Sequence, residues 1–107
     1  MTKLTIENTK TFLEKQGDHT IRLFNRNVAP PKQYIFAHLW FDGNAGLWMA
    51  RFMGQNMRAV FEETKKEFSE AKQILIREIE HHISKGYKIT VYESIISYPP
   101  PWLERKR

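Results

Sequence analysis

Apolar and polar positions alternate with a period of two along most of the chain and shift to a helical period over one long stretch. Residues 19–26, "HTIRLFNR", place Ile21 and Leu23 on one side and Arg22, Phe24 and Arg26 on the other, as in a half-buried strand. Residues 33–41, "QYIFAHLWF", are bulky on both sides, so this strand is expected at the centre of a sheet, covered on at least one face. "LWMARFM" over 47–53 and "MRAVFEE" over 57–63 extend the pattern into a meander. The breaks between these runs are turn formers: "NVAPPK", whose two prolines cannot donate to a ladder, then "DGNAG" over 42–46, then Gly54-Gln55-Asn56. Asp42-Gly43 has the form of a hairpin turn, so Gly43 is expected at positive φ, where a valine costs more than about 1 kcal/mol.

The period then changes. Phe68, Ala71, Leu75, Ile79 and Ile83 recur at helical spacing, broadened by Ile74 and Ile76, with Lys72, Arg77, Glu78 and Glu80 on the wet side. Two starts compete: Thr64 with Glu67 has the form of a capping box, and Ser69 is a rival N-cap. Gly86 is a natural C′ residue, after Lys85 in the last turn where the helix dipole favours a cation. "YKITVYESII" returns to alternation, Tyr87, Ile89 and Val91 against Lys88, Thr90 and Tyr92. The first 17 residues read two ways: Leu4 and Ile6 alternate as in a strand, while "NTKTFLEKQG" allows one or two helical turns closed by Gly17. These elements assemble most economically as an α+β domain, an antiparallel sheet of about four to five strands with one long helix in the C-terminal half laid over one face. Residues 1–98 are read as that single domain and 99–107, "PPPWLERKR" with its preceding Tyr98, as a Pro-rich basic tail that is extended and stiff.

Alternation assigns the faces of the hairpin strand. Trp48, Ala50 and Phe52, the bulkier set, are expected under the helix, leaving Met49, Arg51 and Met53 on the other side.

Composition narrows the partner. Hydrophobic residues are 41% of the 107, enough for a core and too many for a disordered chain. No apolar run nears the roughly 20 residues of a membrane span, and the N-terminal Met-Thr-Lys-Leu-Thr-Ile-Glu lacks the apolar stretch of a signal peptide, so a cytoplasmic protein is expected. Cysteine is absent, which removes disulfides, thiolate metal sites and thiol nucleophiles. The net charge of +5 and pI ≈ 9.6 exclude an acidic mimic of DNA and favour nucleic acid or an acidic protein surface as partner.

The order "YIFAHLWF", "LWMARFMG", "AVFEE", "FSEAKQILIREIEHHISKGY" resembles the WGR domain, the small module beside the catalytic region of poly(ADP-ribose) polymerases and in bacterial regulator-like proteins. The similarity covers roughly residues 33–90, best at Ala71 and at the "SKGY" ending. It implies a strand, a turn, two further strands and a closing helix, and a nucleic-acid-binding or regulatory role. The signature tripeptide is not kept: Phe52-Met53-Gly54, or Arg51-Phe52-Met53 in another register, stands where the family has Trp-Gly-Arg. The family's tryptophan and arginine that touch DNA therefore have no direct counterpart.

The residues themselves give two further readings. Arg51 and Arg58 lie on neighbouring strands about a tight turn, where their guanidinium groups can converge on a phosphate, with Lys65 and Lys66 just beyond and Arg22 and Arg26 on an earlier strand. Met49, Met53, Trp40 and Trp102 supply adaptable apolar contact for a protein partner, and Trp40 or Trp102 a stacking face for a base. The blander alternative is a solvated basic face over an aromatic core. His19, His38, His81 and His82 lack metal-ligand spacing, and no cofactor or metal is expected. Glu62 and Glu63 are adjacent and face opposite sides of a strand, Asp42 reads as a turn former, and there is no phosphate loop or nucleophile elbow, so a binding module is expected and not an enzyme.

Overall fold

The computed structural model describes residues 5–95, which form α1 (Ile6–Phe12), β1 (Asp18–Phe24), β2 (Tyr34–Asp42), β3 (Leu47–Gly54), β4 (Ala59–Lys65), α2 (Phe68–Ser84) and β5 (Lys88–Ile95). The strands make one sheet in the order β4-β3-β2-β1-β5, with every neighbouring pair antiparallel. β2 is the central strand, as its two bulky faces demand. β1 to β4 are joined by hairpins, and α2 carries the chain from β4 at one edge to β5 at the other. The lengths match: 17 residues of helix span about 25 Å at ~1.5 Å each, and a strand of 7 or 8 spans about the same at ~3.3 Å each. Three turns therefore meet at one end of the sheet, β1–β2, β3–β4 and α2–β5. The β2–β3 hairpin and the α1–β1 and β4–α2 connections meet at the opposite end.

Both helices lie on one face. Ala71, Leu75 and Ile79 of α2 are buried against Ala37 and Leu39 of β2 and Trp48, Ala50 and Phe52 of β3, and Ile21 and Leu23 of β1 complete the layer. α1 covers the side nearer β5: Phe12 stacks on Tyr92 with centroids 4.6 Å apart, and the Thr9 and Tyr92 hydroxyls lie 2.8 Å apart. Among the described residues the other face carries no helix. Its residues are those expected there on β3, Met49, Arg51 and Met53, each half-buried beside its neighbours.

Several expectations are corrected. Of the two readings of the N-terminal segment the helical one holds, capped by Thr5, whose hydroxyl accepts from Asn8 N, but Leu13 and not Gly17 holds the C-cap position. α2 starts from Glu67, which makes no side-chain cap bond, so neither Thr64 nor Ser69 is the N-cap. Thr64 is unavailable because β4 keeps pairing with β3 as far as Lys65, opposite Trp48. Gly43 is not at positive φ; Gly46 is, at 70°. The alternation of β5 is broken at Thr90: Ile89 faces Leu23, Val91 faces Arg22, and the extra residue between them turns Tyr92 to the helix side and Val91 to the open side. The boundary at residue 98, the Pro-rich tail and Trp102 lie outside the described residues.

Candidate functional site

The open face is built mainly from alternate residues of β1, β2 and β3. β2 presents Tyr34, Phe36, His38 and Trp40, all half-buried. Their register partners are Met53 opposite Phe36, Arg51 opposite His38 and Met49 opposite Trp40 on β3, and Phe24, Arg22 and Thr20 on β1. An antiparallel sheet with one uncovered face ordinarily shows water a polar row. Here that row is aromatic, methionine and arginine.

Arg51 is less available than its sequence position suggests. Its Nε lies 3.3 Å from Glu62 Oε1 in an ion pair too poorly aligned for a hydrogen bond, and this Nε is buried without a hydrogen-bond partner among the described residues. The guanidinium carbon stands 4.7 Å from the Trp40 ring centre, and His38 stacks on the same indole at 4.2 Å and 14°. His38 Nε2 in turn lies 2.8 Å from Asp18 Oδ1. Arg51, Trp40, His38 and Asp18 thus form one chain of contacts across the middle and opposite end of the face, and the Trp40 ring already has a neighbour stacked on it. Arg58 is not beside Arg51: it sits in the β3–β4 turn, its carbonyl accepting from Gly54 N at 3.1 Å.

The remaining basic candidates separate by end. Lys65, opposite Trp48, is on the helix side, and Lys66 follows it at the opposite end. Arg22 is on the open face near the three-turn end, and Arg26 is exposed in the β1–β2 turn at that end. There it meets residues the sequence reading did not single out. Segments 22–36, 52–59 and 81–91 hold Arg22, Arg26, Lys32, Arg58, Lys85 and Lys88 and not one Asp or Glu. That absence of acids is legible in the sequence; what the sequence does not display is that the three segments adjoin.

Hydrogen bonds lace the three turns together. Tyr87 of the α2–β5 turn donates its hydroxyl to Lys32 O at 2.6 Å, and Gln55 N of the β3–β4 turn donates to Pro31 O at 2.8 Å. Burial pushes the Tyr87 hydroxyl above its usual pKa, which keeps the donor protonated. Asn25 donates Nδ2 to Lys85 O at 3.2 Å and accepts Asn27 N on its Oδ1. Gly86 makes the approach possible: its φ is +107°, and a Cβ there would stand 3.1 Å from Asn25 Nδ2. The gap between these turns is a cleft of about 390 Å³ lined by Phe24, Asn25, Arg26, Asn27, Gly86 and Lys88. A second cleft of about 320 Å³ opens on the neighbouring open face, between Arg22, Tyr34, Phe36, Gln55 and Met57.

Two of the histidines, His19 and His82, serve the fold. His19 is buried, with Nδ1 2.7 Å from Ser94 Oγ and Nε2 against Lys15 O, and His82 stacks on Phe52 while donating Nδ1 to Glu78 O. Among the described residues no three His, Asp or Glu side chains converge as metal ligands, and no helix is long and apolar enough to cross a membrane. Fold and site together define an α+β sheet domain with one aromatic and basic face that no described element covers and one basic end. No protein-family model, no curated protein and no solved structure matches the chain.

Proposed function

We propose that this protein is a non-enzymatic, WGR-like nucleic-acid-binding module that grips phosphates with its three-turn end. One observation carries the reading: Arg22, Arg26, Lys32, Arg58, Lys85 and Lys88 are gathered at that end from three separate segments with no acid among them. Cations gathered by folding from segments that carry no acid suit a polyanion, because binding releases the polyanion's condensed counterions. The aromatic open face beside that end supports the same reading, since aromatic side chains next to a basic groove accommodate bases. The order of three strands, helix and Gly86-Tyr87 closure is the order that the WGR resemblance implies.

Fluorescence anisotropy with labelled DNA and RNA, single- and double-stranded, tests it. Affinity is expected to fall steeply between about 50 and 200 mM salt. The double variant Arg26→Glu, Lys88→Glu is expected to keep its circular dichroism spectrum, lose most binding and reduce the slope of log affinity against log salt by roughly one to two. Lys15→Glu with Lys66→Glu, at the opposite end, is expected to bind as the parent does. Equal losses in the two double variants rule out a localised basic site. A second reading, a small protein-interaction domain acting through Met49, Met53 and Trp40, is favoured by the Glu62 carboxylate beside Arg51, which offsets positive charge in the middle of the open face. It predicts a protein ligand whose affinity varies little with salt.

A further inference from the structure

The cleft between Arg22, Tyr34, Phe36, Gln55 and Met57 has two features that folding does not require. Phe36 lies half-buried on the open face, and no other described ring packs on it. Met57 is 69% exposed and holds φ at 65°, a left-handed conformation that glycine or asparagine adopts at far less cost. A methionine kept at an unfavourable backbone position, with its side chain in water, contributes nothing to the core. It does line the cleft. Tyr34 lines it too, tilted against Phe24 with centroids 4.7 Å apart, and Arg22 stands 5.7 Å from the Tyr34 ring centre. Gln55 spends its Oε1 on Tyr34 N at 3.2 Å, and no described residue accepts from its Nε2.

We infer that this cleft takes one unpaired nucleobase. The inference rests on the nucleic-acid reading and deepens it. Phe36 and Met57 offer apolar surface to the two faces of a flat ring. The Gln55 amide and the Arg22 guanidinium offer donors to its edge. The cations of the three-turn end border the cleft, Arg58 one residue after Met57 and Arg26 beyond Phe24, so the chain attached to that ring is a polyanion. A base within a duplex has both faces covered by its neighbours and cannot enter; a base in a single strand or an unpaired position can.

The test compares three probes on the full chain: a single strand, the same strand with abasic residues throughout, and a blunt duplex of the same sequence. Abasic residues keep the phosphates and remove the rings. The parent is expected to bind the base-bearing strand about tenfold or more tighter than the abasic one, the effect of stacking one base. Phe36→Ala and Met57→Gly are expected to bring that ratio close to one while leaving the affinity for the abasic strand unchanged. Met57→Gly suits the left-handed backbone and so keeps the test open if Phe36→Ala unfolds. Equal parent affinity for base-bearing and abasic strands overturns the cleft inference and leaves the phosphate reading standing. So does a preference for bases that survives in Met57→Gly. No binding to any probe at low salt overturns both.

Discussion

Gly46, and not Gly43, makes the left-handed step of the β2–β3 hairpin. Asp42 closes this loop with both its backbone and its side chain: its carbonyl accepts from Gly46 N at 2.8 Å, and its Oδ1 accepts from Asn44 N at 3.0 Å and Ala45 N at 3.3 Å. Capping by an aspartate side chain stretches the connection to four residues and moves the positive φ to its last position. Asp-Gly is a strong signal for a two-residue turn, but "DGNAG" holds two glycines, and local sequence does not say which one the strand register will leave at positive φ. The consequence is an ordering of two variants. Gly46→Val forces a β-branched residue to φ 70° and is expected to cost more than about 1–2 kcal/mol. A Cβ on Gly43 meets nothing within 4 Å, so Gly43→Val is expected to stay within roughly 0.5 kcal/mol of the parent. Urea midpoints decide it, and the reverse order removes the four-residue loop.

Among the elements, α2 was the most legible and α1 the least. Ala71, Leu75 and Ile79 recur at intervals of four and are fully buried, so periodicity alone named the stripe. Leu75→Ala and Ile79→Ala are each expected to cost about 2–5 kcal/mol, read from denaturant unfolding; unchanged unfolding curves in both would remove the helix from the sheet. The faces of β3 were equally legible, because a strand with Trp48, Ala50 and Phe52 on one side can bury only that side well. What escaped depends on partners distant in sequence. The capping box at Thr64 lost to β-ladder pairing with Met49 and Trp48. The switch of sides in β5 comes from a bulge at Thr90, whose hydroxyl donates to Arg22 O at 3.1 Å across the ladder, and no local pattern reports a bulge set by its neighbour. α1 is short, and Tyr92, from the last strand, ties it down through Thr9 and Thr5 O.

For the whole molecule, the distribution of charge follows from topology. Arg51 and Arg58 are close in sequence about a tight turn, yet the fold gives Arg51 a carboxylate neighbour in Glu62 and sends Arg58 to the three-turn end. Lys32, Lys85 and Lys88 escaped notice because each is an ordinary turn lysine until the sheet order brings the three turns together. Like charges gathered in this way repel, so the same arrangement that would hold a polyanion also costs the folded state some stability. Stability and binding should then respond to charge with opposite signs. Lys32 is the clean position to test this, since its side chain is exposed while its role in the scaffold, accepting the Tyr87 hydroxyl, belongs to the backbone. Lys32→Glu leaves that hydrogen bond in place and puts one carboxylate among Arg26, Arg58, Lys85 and Lys88. It is expected to stabilise the fold slightly, by about 0.2–1 kcal/mol at low salt, and to weaken nucleic-acid binding several-fold. Added salt should shrink both effects, because exposed charges are screened beyond roughly 10 Å at 0.1 M. Unfolding midpoints and anisotropy at two salt concentrations measure the pair. If Lys32→Glu lowers stability and leaves binding intact, the six cations do not act as one field, and the basic end loses its claim to a polyanion.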